Sequence, residues 1–193
     1  MTVSLIKGSN VSLTKEAGGS LSEILVGLGW DAPTTAGKTY DLDASAIVVG
    51  ADDQVLGDAW FVFYGNKTSP DGNVVHHGDN LTGAGDGDDE QITITLANLP
   101  ATAEKIIFPV SIYQATEKGQ NFGQVRNGFV RVIDKATDAE LARYDLTEDA
   151  AMETCMLFGE VYRHNGEWKF RALGSGYHDG LAGIARDHGV HVG

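Results

Sequence analysis

Gln91-Ile92-Thr93-Ile94-Thr95-Leu96 is the stretch whose reading decides the fold. On an extended chain Ile92, Ile94 and Leu96 share one face and the threonines take the other, because successive side chains alternate. That period of two describes a strand with one buried face. Outward from it the pattern repeats. Residues 105–113 hold Ile106, Ile107, Phe108, Val110 and Ile112 and read as a mostly buried strand. Pro109 predicts a bulge or an edge there, since it cannot donate to the ladder. Further strands are expected at 24–28, 40–49, 60–64, 129–133, 141–146, 156–163 and 168–173. His164-Asn165-Gly166-Glu167 joins the last two, and Asn165-Gly166 suits a type I′ hairpin because both residues tolerate positive φ. Residues 134–138 form a similar turn. Helix signals are confined to 181–187, ended by Gly189, and to an ambiguous 148–154. The expected fold class is all-β: a β-sandwich of two mainly antiparallel sheets, with long acidic loops at one end and little helix. No linker or repeat divides the chain, so residues 1–193 are read as a single domain.

The chain has 27 acidic and 14 basic residues, for a formal net charge of −13. Such a chain repels phosphate backbones, which argues against nucleic acid as a direct partner. An anionic membrane surface is equally unattractive unless a cation bridges the two. Hydrophobic residues make up 42%, too many for disorder. No apolar run approaches the roughly 20 residues of a transmembrane helix, and Met1-Thr2-Val3-Ser4-Leu5-Ile6-Lys7 lacks the pattern of a secretory signal. Cys155 is the single cysteine, which excludes an internal disulfide and a multi-cysteine zinc site. A soluble, cytoplasmic protein is expected.

The segment from His77 to Glu90 stands apart. It holds Asp79, Asp86, Asp88, Asp89 and Glu90 with no Lys or Arg. Concentrated charge of one sign costs free energy. Glycines at 83, 85 and 87 allow sharp turns that point carbonyl oxygens, that of Gly83 among them, inward. Carboxylates and carbonyls around a tight loop suit a hard cation, and a flexible loop favours Ca²⁺, with its six to eight oxygen ligands, over Mg²⁺. A solvated acidic turn is the plainer reading. Against it, the run abuts the strand at Gln91, so Asp88 and Glu90 are expected to project from its edge on one side. More acids stand at other strand ends, Asp31 in Gly29-Trp30-Asp31 and the pair Asp41 and Asp43, which share a face by alternation. The segment 79–90 has the length of an EF-hand loop, but Leu81 and Gly83 stand where that motif needs oxygens, so an EF-hand is rejected.

Several motifs occur in order: Gly27-Leu28-Gly29-Trp30-Asp31, Asp41-Leu42-Asp43, Gly78-Asp79-Asn80-Leu81-Thr82-Gly83, Gly87-Asp88-Asp89-Glu90, Gln120-Asn121-Phe122-Gly123 and Gly166-Glu167-Trp168-Lys169-Phe170. In these the chain resembles the TerD family of tellurite-resistance and stress-response proteins, from Val3 to near Gly189. The resemblance implies a β-sandwich that binds Ca²⁺ through acidic loops, cytoplasmic stress biology, and no settled enzymatic activity. It places the acidic positions on Asp31, Asp41, Asp43, Asp79, Asn80, Asp88, Asp89 and Glu90. The surplus of carboxylates suggests two Ca²⁺ ions.

Other residues carry plainer expectations. Adjacent His76 and His77 face opposite sides, one packed and one exposed. Cys155 is expected to be a buried, inert thiol, and Trp30, Trp60 and Trp168 to be core residues or lids. The segment 120–127 is either a recognition loop or a capped connection with Phe122 packed inward. The function expected is a Ca²⁺-dependent binding and signalling module, not an enzyme, with other stress-response proteins as partners. Its rivals are a metal-dependent hydrolase and a module docking on anionic lipid through Ca²⁺. For docking, Leu81 is the one obvious apolar loop-tip residue.

Overall fold

The structure is a computed structural model that describes residues 1–32, 39–84, 87–146 and 152–192. Gly85 and Asp86 of the acidic loop, and residues 148–151 of the ambiguous segment, lie outside the described residues. In chain order the strands are β1 (Val3–Leu5), β2 (Asn10–Ser12), β3 (Ile24–Asp31), β4 (Leu42–Ala44), β5 (Ala46–Val49), β6 (Phe61–Val62) and β7 (Val74–His76). They continue as β8 (Glu90–Ile94), β9 (Lys105–Ile112), β10 (Arg126–Asp134), β11 (Ala139–Asp145), β12 (Cys155–His164) and β13 (Glu167–Tyr177). The short helices are α1 (Leu13–Glu16), α2 (Ala115–Lys118) and α3 (Gly180–Asp187).

One sheet runs β1-β11-β10-β3-β8-β7 and the other β2-β13-β12-β9-β5-β6, with β4 also paired to β9. Among the described pairs β1 and β11 are parallel and the rest antiparallel. The all-β sandwich read from the sequence is the fold. Ile24, Val26, Leu28 and Trp30 of β3 and Ile92 and Ile94 of β8 face Ile106, Phe108 and Val110 of β9 across the core. Leu96 leaves the strand for a 3-10 turn, Leu96–Asn98, yet stays buried. A second cluster lies on the outer face of the second sheet, where Ile184 and Ala185 of α3 cover Ile47, Val49, Ile107 and Leu157. Covering both faces removes the alternation that one-sided burial would impose, so β5 and residues 106–110 of β9 read as unbroken apolar runs.

Pro109 lies in the middle of a sheet, not at an edge. Opposite it the register of β12 slips by a residue between Leu157 and Gly159, so the bulge reading holds. The Pro109 carbonyl accepts from the Ser45 N–H at 2.9 Å, at the break that divides the expected strand 40–49 into β4 and β5. Asn165 (φ 52°) and Gly166 (φ 76°) turn the β12–β13 hairpin as expected. The strand expected at 60–64 shrinks to the two residues of β6, after a 3-10 turn at Asp58–Trp60. Strands β1, β2 and β7 have three residues each, too few to show a period in the sequence. His76 is buried and His77 exposed. Cys155 is buried, and burial pushes its thiol pKa up to about 12, which keeps it protonated and unreactive at neutral pH.

Candidate metal centre

Leu42 begins β4 with its side chain fully buried, and Asp41 and Asp43 on either side of it point together toward one end of the sandwich. Each is more than nine-tenths buried. Asp79, on the exposed loop after β7, meets them: one carboxylate oxygen from each of the three lies within 4.8 Å of the other two. The three line a cavity of about 220 Å³ together with Tyr64, Leu81 and Tyr113. Asp41 Oδ1 is buried with no hydrogen-bond partner, and so is Glu90 Oε1. Glu90 opens β8 on its core side, where the Ala44 N–H donates to Oε2 at 2.6 Å. His76 Nδ1 accepts from the Gly78 N–H at 3.1 Å. A neutral ring therefore carries its proton on Nε2, which lies 3.6 Å from Glu90 Oε2.

The electrostatic cost shows in the protonation of these acids. Burial, reinforced by the charges of Glu90, Asp41 and Asp79, pushes the Asp43 pKa up to about 8. Burial and then Asp79 raise Asp41. Burial also raises Glu90, against the pull of His76 and the Ala44 N–H. Lys118 acts in the opposite sense on Asp41 and Asp43. Such a group is relieved either by taking up protons or by a cation. All-oxygen donors with an unpartnered buried carboxylate oxygen fit a hard divalent ion.

The other acids of the loop have different tasks. Asp89 accepts from the Trp30 N–H (Oδ2, 2.9 Å) and from Asn80 Nδ2 (Oδ1, 2.9 Å). Asn80 Oδ1 in turn accepts from the N–H groups of Thr82 (3.1 Å) and Gly83 (3.2 Å). Gly83 has φ 64° and backs onto the Trp30 indole so closely that a Cβ would overlap it. Trp30 Nε1–H donates to the Tyr40 carbonyl at 3.2 Å, one residue before Asp41. This chain of contacts ties the Asp79 loop to the Asp41 segment. Gly83→Ala adds both strain and a clash, so it should destabilise the metal-free protein by about 1–3 kcal/mol. Urea unfolding in chelator measures this, and an unchanged midpoint would remove the brace from the account.

Asp31 is exposed, with Asn127 Nδ2 donating to Oδ2 at 2.6 Å. Asp88 does not project beside Glu90 as expected. The chain bends at Asp89, and the Asp88 side chain turns to the outer face of the first sheet, over Gly27. There Arg131 Nε donates to Oδ1 at 2.7 Å and Gln91 Nε2 to Oδ2 at 3.1 Å, with the Asp88 side chain fully buried. The structure thus brings Asp41, Asp43 and Asp79 together with Glu90 adjoining, puts Asn80, Gly83 and Asp89 in the supporting brace, and leaves Asp31 and Asp88 with other partners.

The TerD domain family matches residues 1–188. The chain belongs to the TerD family. It is 55% identical over 192 residues to the tellurium resistance protein TerD of Serratia marcescens, with both chains covered in full. It is 50% identical over 194 residues to the general stress protein 16U of Bacillus subtilis (strain 168), again over the whole of both. The crystal structure of a homologue of the telluride resistance protein TerD from Streptomyces coelicolor A3(2) aligns with a TM-score of 0.69 at 26% identity, over 86% of this chain and 96% of that one. This TerD-family chain is therefore placed among tellurium-resistance and stress-response proteins.

In this TerD domain several residues around the site carried no signal in the sequence. Tyr64 and Tyr113 come from different strands' ends and meet only at the cavity. Arg131 lies 43 residues from Asp88, and only the β3–β10 and β3–β8 registers bring them together. His76 could be flagged as adjoining the acidic loop, but not as facing Glu90.

Proposed function

We propose that the protein is a Ca²⁺-dependent binding module of the stress response rather than an enzyme. The observation that carries this is the meeting of Asp41, Asp43 and Asp79 at one cavity, with Asp41 Oδ1 buried and unpartnered. Bound Ca²⁺ would supply the positive charge these acids lack. Asp41 and Asp43 hold a fixed pair of donors on the sandwich, and Asp79 brings the third from the loop. The Asp89–Asn80–Gly83–Trp30 brace holds that loop within reach. Of the two ions expected, we assign the tighter to this group. The weaker falls to Asp31 and Asp89, whose oxygens must first share or release their bonds to Asn127, Asn80 and the Trp30 N–H.

Calorimetry with Ca²⁺ and Mg²⁺ on the purified protein tests the reading. An irregular set of carboxylate oxygens suits the six to eight ligands of Ca²⁺ and not the near-ideal octahedron of Mg²⁺, so the protein should bind Ca²⁺ well and Mg²⁺ poorly. At free Ca²⁺ about 100 times the dissociation constant, the folded state should gain roughly 2.7 kcal/mol and the melting temperature rise by about 5–10 °C. A melting temperature indifferent to Ca²⁺ and chelator would sink the proposal.

A further inference from the structure

We propose that Tyr64, Leu81 and Tyr113 form a docking rim that seats the protein on an anionic phospholipid surface through the cation held by Asp41, Asp43 and Asp79. This rests on the calcium reading above and adds the partner.

Among the described residues seven large hydrophobic side chains are exposed: Met1, Ile6, Tyr64, Leu81, Tyr113, Met152 and Val192. Three of the seven line one cavity, and it is the cavity of the acidic group. Their exposures are 43%, 57% and 44%, so each presents apolar surface outward while part of it stays anchored. Tyr64 is held edge-on by the Phe63 ring at 5.3 Å. Lys118 lies over the Tyr113 ring at 5.2 Å and donates to the Tyr113 carbonyl at 3.3 Å, which sets one basic group beside the rim. Asp43, Tyr64 and Tyr113 also open into a neighbouring cleft of about 390 Å³.

Each part has a use at a membrane surface. One oxygen from each of the three carboxylates converges here, three of the six to eight that Ca²⁺ takes, so an ion held this way retains capacity for phosphate or carboxylate oxygens of a headgroup. The cleft beside it has room for a headgroup. Tyrosine sits favourably at membrane–water interfaces, where an apolar ring and a polar hydroxyl are both accommodated. A free phosphate would leave the apolar rim in water. A partner protein needs roughly 800 Å² per side, far more than three side chains provide. The net charge of −13 repels an anionic surface, so docking is conditional on the cation.

Co-sedimentation with vesicles of phosphatidylserine in phosphatidylcholine tests this, with Ca²⁺ at concentrations that calorimetry shows to saturate each protein. The protein should pellet with these vesicles in Ca²⁺, and stay in solution in chelator or with phosphatidylcholine alone. The double variant Leu81→Asn, Tyr113→Ser should partition at least about tenfold more weakly, the equivalent of removing a buried aliphatic side chain from the contact. Absence of Ca²⁺ binding by calorimetry would overturn the calcium reading itself. Ca²⁺ binding without vesicle binding, or equal pelleting of the double variant, would overturn the docking rim alone. So would a Ca²⁺-loaded protein that binds soluble phosphoserine but no vesicle, which would mark a small-molecule site.

Discussion

Arg131→Met should destabilise the protein by about 3–5 kcal/mol while leaving Ca²⁺ affinity within about twofold of the original, because removing one partner strands a buried charge. The Asp88 side chain is fully buried over Gly27, and its Oδ1 rests on Arg131 Nε at 2.7 Å. Methionine fills much of the space of the arginine stem but offers no donor. Gln91 Nε2, at 3.1 Å from Oδ2, is then the remaining donor to that carboxylate among the described side chains. Asp88→Asn should cost less, about 1–3 kcal/mol, since an amide oxygen still accepts from Arg131. Urea unfolding in chelator and Ca²⁺ calorimetry together measure both variants. If Asp88→Asn abolished Ca²⁺ binding and left the metal-free stability unchanged, Asp88 would be a ligand that turns inward, and the outer-face pairing would be wrong.

Asp43→Asn should lower Ca²⁺ affinity at least about tenfold and change the pH dependence of the metal-free protein, because the same carboxylate is both donor and buried charge. Burial, then Glu90, Asp41 and Asp79, raise its pKa to about 8, from an ordinary value of 3.8. The folded state therefore holds a proton through the interval in which the unfolded chain has released it. The stabilisation from that proton is complete below the unfolded value and is lost as pH climbs through the folded one. In chelator the protein should become less stable from pH 5 to pH 8, by roughly 3–4 kcal/mol. Asp41 and Glu90 are raised too, so the group titrates as a coupled set and the fall is spread over the interval. Asp43→Asn should flatten most of it and make the metal-free form more stable than the original at pH 8. Saturating Ca²⁺ should flatten it as well. Unfolding curves at several pH values decide the matter, and an Asp43→Asn slope equal to that of the original would show that Asp43 ionises freely in the fold.

The sequence carried the fold a long way, and the places where it fell short have local causes. Ile92 and Ile94 alternate with Gln91 and Thr93 because β8 is covered on one face, so its period is visible. The β5 strand and residues 106–110 of β9 are covered on both faces and show an apolar run in place of a period. The break at Ser45 leaves no trace in the run from Tyr40 to Val49, since it answers to Pro109 on a neighbouring strand. The candidate site was legible in kind: Asp41, Asp43, Asp79 and Glu90 were all singled out. Asp88 was also singled out, on a parity argument that a bend at Asp89 defeats.

By itself the sequence determined what nearest neighbours along the chain can determine. Alternation set the strands, the positive φ of Asn165 and Gly166 set a hairpin, and two aspartates spaced by one residue were bound to point the same way. The tertiary structure alone decided which distant groups meet. It brought Asp79 to Asp41 and Asp43, turned Asp88 to Arg131, placed His76 against Glu90, and gathered Tyr64, Leu81 and Tyr113 around one cavity. The physical reason is that these meetings depend on sheet register and loop bends. A shift of one residue in either carries a carboxylate from one face to the other, with no change in the local pattern that the sequence displays.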